Sequence, residues 1–106
     1  MIQIPITDSA HAEFSIVLDG QNCVLRQRQL GARLFLSLTV DQTVVFENQL
    51  CVDRQFMPVF ETQLFSGKLR WIDSLGNNHP VHPGLGTRYQ LHYYTEDEVD
   101  GVNNLL

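Results

Sequence analysis

The sequence predicts an all-β protein, a small sandwich or partly open barrel of about seven short, mostly antiparallel strands in a single domain over residues 1–106. Three observations predict it. Apolar and polar residues alternate with a period of two through most of the chain. Turn-forming Gly, Asn, Asp and Pro recur at intervals of roughly 8–12 residues. No stretch of about 12 residues carries an apolar stripe at helical spacing. Composition agrees: 43% of residues are hydrophobic and 18% charged, which excludes a disordered tail. A folded chain of this size buries roughly 60–70% of the surface its unfolded form exposes, so contact with other copies would add stability.

The elements follow in order. Ile2, Ile4 and Ile6 share one parity around Gln3 and Pro5. Phe14, Ile16 and Leu18 form the next strand, and Asp19-Gly20 supplies a tight turn. Val24-Leu25 opens a third run. Its outer part, Arg26-Gln27-Arg28-Gln29, is polar on both parities, as on an exposed strand or edge. Gly31 interrupts it. Leu34, Leu36, Leu38 and Val40 give the cleanest alternation, and Asp41-Gln42 reads as a turn into the β-branched and aromatic run Thr43 to Phe46. Leu50-Cys51-Val52 continues the pairing or opens a short strand. Residues 55–65 show apolar spacings of three and four, which admit one helical turn. Pro58 opposes a helix there, and a compact apolar loop covering one end of a barrel is expected. Leu69 and Trp71 restart the alternation, with Trp71 as a core residue whose indole N–H wants a partner. Residues 73–78 form a turn, and residues 79–86 a loop rich in Pro and Gly. The last strand spans residues 87–95, with Tyr89, Leu91 and Tyr93 on one face and Arg88, Gln90, His92 and Tyr94 on the other. Glu96, Asp97, Glu98 and Asp100 then read as a solvated strand end that guards an edge, and residues 102–106 as a loose terminus.

The formal charge of -5 argues against a duplex-DNA binder, which needs a basic stripe. No segment approaches the roughly 20 apolar residues of a membrane span, and residues 1–6 do not read as a signal peptide. Cys23 and Cys51 read as reduced interior thiols. His79 and His82, with Asp73 upstream, have the residue types of a divalent-metal site. The interposed Pro80 and the following Pro83 stiffen the loop against convergence, so no metal and no cofactor is expected. Gly84-Leu85-Gly86 lacks the following helix that a phosphate loop requires. No nucleophile elbow is visible, and catalysis is not expected. Arg26 and Arg28 share a parity, with Arg33 close, and could meet an acidic partner. Gln27, Gln29, Gln42, Gln49 and Gln55 offer polar, uncharged surface suited to protein contacts.

Three segments carry a resemblance: Met1-Ile2-Gln3-Ile4-Pro5-Ile6, Phe14-Ser15-Ile16-Val17-Leu18-Asp19-Gly20, and Leu85-Gly86-Thr87-Arg88-Tyr89-Gln90-Leu91-His92-Tyr93-Tyr94-Thr95. With Gly67-Lys68-Leu69 and Asp73 between, the chain resembles the baseplate plug family of contractile-tailed phages and prophages. Gly31-Ala32-Arg33-Leu34-Phe35 stands where that family's pattern leads one to expect a tryptophan, and Glu47-Asn48 where it leads one to expect a glycine. The resemblance implies a structural virion component at the distal end of the tail. It would plug or line the tube and hub by protein contacts, without catalysis. It implies baseplate, tail-tube and hub proteins as partners and self-association in the assembled tail. The implied location is the tail baseplate, with host cytoplasm during assembly. Arg26, Arg28, Arg88, Tyr89, Tyr93 and Tyr94 are the candidate interface residues, with Arg88 reaching a neighbour's carboxylate. The residues alone also admit a small cytosolic ligand-binding or regulatory β domain.

Overall fold

A computed structural model describes residues 1–60 and 62–104, with side chains described through Gly101. The strands are β1 (Ile2–Ile4), β2 (His11–Leu18), β3 (Gln21–Leu30), β4 (Arg33–Val40), β5 (Thr43–Leu50), β6 (Phe56–Met57), β7 (Lys68–Asp73) and β8 (Tyr89–Tyr94), followed by helix α1 (Glu96–Asn104). They form two four-stranded antiparallel sheets, ordered β2-β3-β4-β5 and β1-β8-β7-β6. The sheets pack as a sandwich and do not close into a barrel. The eighth strand, beyond the expected seven, is the two-residue β6.

Alternation builds the core. Leu34, Leu36, Leu38 and Val40 of β4 are all buried. They join Leu25 and Cys23 of β3 and meet Ile4, Leu69, Trp71, Leu91 and Tyr93 of the other sheet in one cluster. Each such aliphatic side chain contributes about 1.5–3 kcal/mol by leaving water. Trp71 is fully buried, and its indole N–H lacks an acceptor among the described residues.

The hairpin turns follow from their residues. Asp19 (φ 51°) with Gly20 (φ 75°), and Asp41 (φ 48°) with Gln42 (φ 70°), are consecutive left-handed pairs. Two-residue hairpins need this geometry to match strand twist. The Asp41 carboxylate accepts the Asn22 N–H at 3.2 Å. Near the end of the chain Gly86 (φ 85°) passes so close to β1's continuation that a Cβ would lie 2.6 Å from the Ile6 carbonyl oxygen.

Several expectations are corrected. β3 is an interior strand, not an edge. Arg26 and Arg28 reach solvent from its outer face, whereas Gln27 is 1% exposed and is no surface residue. Its amide N–H₂ donates to the Thr7 carbonyl (2.7 Å) and the Ser9 carbonyl (2.8 Å), fixing the segment that carries the chain from one sheet to the other. Backbone carbonyls satisfy the donor half of this buried amide, while its Oε1 has no partner among the described residues. β5 runs to Leu50, beyond the expected end at Phe46. Two register shifts interrupt its pairing with β4, so Val45 and Phe46 are consecutive yet both buried. Asn48 takes φ 51°, the left-handed conformation a glycine would supply, and its N–H donates to Ser37 Oγ at 2.9 Å.

Residues 58–60 and 62–67 contain no helical turn. With no barrel to cover, this loop closes one end of the sandwich. The Ser66 N–H donates to Gln21 Oε1 (2.9 Å) and Ser66 Oγ to Asp19 (3.0 Å), which ties the loop to the β2–β3 hairpin. The acidic run is not a strand end but the first turn of α1. Thr95 and Glu98 form a reciprocal capping box: Thr95 N–H donates to Glu98 Oε1 (3.0 Å) and Glu98 N–H to Thr95 Oγ1 (3.4 Å). Carboxylates there also suit the positive end of the helix. Within the segment expected to be loose, the backbone through Asn104 is helical, and Leu105 and Leu106 lie outside the described residues.

Candidate functional site

The six candidate interface residues fall in three separate places. Arg26 and Arg28 lie on the outer face of the β2–β5 sheet. Register places Glu13, Arg26 and Ser37 in one cross-strand row and His11, Arg28, Phe35 and Leu50 in the next. Arg26 sits between two acids and pairs with Glu47 at 3.3 Å; both side chains are well exposed. Such a pair contributes at most about 1 kcal/mol. On the other side, the row Ser15, Val24, Thr39 and Val44 is flanked by Val17, and Val17 and Val44 stand exposed. This face is a mixed, largely uncharged surface rather than a basic one.

Arg88 and Tyr89 belong to the far end of the other sheet. Arg88 finds a carboxylate within its own chain: Nε donates to Asp73 Oδ1 at 2.8 Å and Nη2 to Oδ2 at 2.9 Å. The guanidinium carbon lies 5.0 Å from the centre of the Tyr89 ring, which is itself buried. Asp73 also accepts the N–H groups of Leu75 (3.0 Å) and Asn78 (2.9 Å), so it organises the 73–78 turn. Arg54 pairs with Asp53 and donates to the Gly76 carbonyl (3.0 Å) and Asn77 Oδ1 (3.0 Å), clamping the same turn. Its tip presents Leu75, 76% exposed.

Tyr93 lies in the core and donates its hydroxyl to the Ser66 carbonyl at 2.6 Å; burial pushes the phenol up to about 12. Tyr94 faces the opposite way. It meets Phe56 edge-on at 5.5 Å and His92 at 6.4 Å, while Arg70 covers the Phe56 ring at 5.2 Å. Burial, Arg70 and the N-terminal ammonium together hold the His92 imidazole below its ordinary 6.5. It therefore folds neutral, whereas the unfolded chain protonates it at mild acidity. Its contribution to stability is complete above pH 6.5 and is lost as pH falls from there towards the folded value. The melting temperature of the native chain should accordingly drop between pH 7.5 and pH 5, and His92→Gln should flatten that drop. Asp8 and Asp73, whose carboxyls their partners His82 and Arg88 hold below 3.8, respond only at lower pH. Equal slopes in the native and H92Q chains would contradict the assignment.

The closing loop carries the remaining contact features. Val59, Phe60 and Leu64 are about half exposed. Lys68 Nζ holds the loop's backbone by donating to the Pro58 carbonyl (2.8 Å) and the Phe60 carbonyl (3.2 Å). Beside it a cleft of about 350 Å³ is lined by Thr62, Phe65, Gly67, Lys68, Glu96, Val99 and Asp100. Apolar side chains on a fixed loop, next to acidic groups, suit a protein contact.

Chemically reactive groups are dispersed. His79 accepts the Asp53 N–H through Nδ1 (3.1 Å), and His82 Nδ1 meets Asp8 at 2.6 Å. No group of three potential metal ligands converges among the described residues. Cys23 and Cys51 are free and buried, and burial raises both thiols. The sequence reading missed the Asp73–Arg88 pair, which is non-local and leaves no local signal. It also missed the Thr95–Glu98 cap, for which the Thr-x-x-Glu spacing was the signal. No described helix is long and apolar enough to cross a membrane.

The fold and these surfaces define a small β-sandwich whose outward features are apolar contacts and exposed strands. A family model described as Cyanophage baseplate Pam3 plug gp18 matches residues 1–96, and the chain belongs to this family. Membership implies a place in the tail baseplate of a virion, beside other baseplate proteins. No curated protein matches the sequence.

Proposed function

We propose that the chain is a structural component of a contractile phage tail, which plugs or lines the distal end of the tube and the baseplate hub by protein contacts. The observation that carries this reading is the family match across residues 1–96. The half-exposed Val59, Phe60 and Leu64 on their braced loop, and Leu75 on its clamped turn, supply apolar surface that a protein partner can cover. The chain acts without catalysis, by occupying space and holding neighbours. It passes through the host cytoplasm during assembly. A cryo-electron microscopy reconstruction of the intact virion tests this. Density for the sandwich is expected inside the distal lumen of the tube or hub; density only on the outside of the baseplate, or none, would overturn it.

A further inference from the structure

We infer that the free edge of β2 is a self-association surface, and that two copies pair through it, antiparallel, about a two-fold axis at Ser15. This goes beyond the baseplate reading and does not depend on it.

The edges of the two sheets differ. β1 and β6 are edge strands of three and two residues. β5 is the far edge of the other sheet, and its two register shifts break the even spacing a partner strand would need. β2 is an edge of eight residues in unbroken register with β3, without proline, lysine or bulge. Proline, lysine and bulges usually protect such a strand, as do other charged side chains, of which β2 carries one acid, Glu13.

Hydrogen-bond alternation fixes which groups are open. The Gln29 N–H donates to the Ala10 carbonyl at 2.7 Å, so the pairs that bond towards β3 continue at Ala12, Phe14, Ile16 and Leu18. Glu13, Ser15 and Val17 therefore direct their N–H and C=O groups away from β3, and they make no hydrogen bond to another described residue. At His11 the carbonyl is already taken by Ser9 Oγ at 2.8 Å. The open ladder is thus Glu13 to Val17.

That segment is self-complementary. With Ser15 opposite its own copy, Glu13 faces Val17 of the second copy and Phe14 faces Ile16. The two acids lie four residues apart, about 13 Å along the strand, so no like charges oppose. Phe14 and Ile16 are packed against the core but only partly buried. A second copy supplies an aromatic–β-branched pair on each side of the axis and covers them. The two sheets then join into one of eight strands.

Sedimentation equilibrium of the purified chain tests the pairing, with Ser15→Pro as the variant. The Ser15 N–H plays no part in the β2–β3 ladder, so proline at this edge position leaves the fold intact while removing both central donors. The native chain is expected to show a concentration-dependent mass of twice 12.1 kDa. S15P should weaken pairing at least about a hundredfold with an unchanged circular dichroism spectrum. Amide hydrogen exchange of the native chain gives a readout that does not rely on the variant: protection of Glu13, Ser15 and Val17 should rise with concentration. A strict monomer up to about 1 mM, or a dimer without that protection, would overturn the proposal.

Discussion

Alanine at Gly67 is expected to unfold the chain or leave it barely stable. Gly67 holds φ 88°, and a Cβ there would lie 2.3 Å from the Tyr94 carbonyl oxygen and 2.7 Å from the Tyr93 hydroxyl. Neither contact can yield cheaply. The carbonyl belongs to β8, and the hydroxyl is held on the Ser66 carbonyl. The backbone conformation costs about 1–2 kcal/mol for a residue with a side chain, and overpacking adds roughly 1–3 kcal/mol. A small domain has only about 5–15 kcal/mol to lose. Gly101→Ala is the matched control: its added methyl meets nothing within 4 Å and sits in α1, where alanine is favoured. Urea unfolding followed by circular dichroism should show a midpoint strongly reduced in G67A and unchanged or raised in G101A. Similar midpoints would mean that β7 and β8 tolerate a shift their packing forbids.

The second large effect is expected at Asp73. Its side chain is shielded from solvent, and both oxygens are saturated by Arg88, Leu75 and Asn78. Asp73→Ala removes the acceptor for four donors, and Arg88→Ala strands the carboxylate. Each should lower the melting temperature by about 10 °C or more. The double variant should fall well short of the sum, because the second substitution removes a group already without its partner. The pH dependence supplies a sign. The Arg88 guanidinium beside Asp73 holds its carboxyl well below the usual 3.8. The pair's stabilisation is therefore complete above pH 3.8 and declines as pH falls from there. R88A should lose that acid limb, as thermal melts between pH 5 and pH 2 would register. An additive double variant would contradict this reading of the pair.

Much of the architecture is legible because a half-buried strand writes its pattern locally. Leu34 to Val40 and Leu69 to Trp71 alternate in the sequence and in burial alike. Asp19-Gly20 and Asp41-Gln42 announce the hairpins they make. The pattern fails where geometry departs from a period of two. In β5 the extra residues place Val45 and Phe46 side by side in the core, which reads in sequence as a strand ending. α1 has no apolar stripe and declares itself only through its cap. Gln27 looks like surface because its partners, Thr7 and Ser9, are distant in sequence. The same holds at the candidate site. Arg26 and Arg28 were legible as outward residues from parity. That Arg88 is occupied by Asp73, and that β2 lies at a sheet edge while β3 does not, depends on topology that no local spacing encodes.

The segregation of the two sheets along the chain bears on how the protein is made. Residues 11–50 complete one sheet from neighbouring hairpins, a low-contact-order unit that can form early. The other sheet cannot: β1 precedes that unit in the chain, and its ladder partner β8 follows it. Throughout that interval the apolar face of Leu34, Leu36 and Leu38 has no cover, and it is sealed only when β8 joins β7 and β1. Nascent chains thus pass through a stage with one finished, sticky half, and it is the late arrival of Tyr89–Tyr94 that ends it.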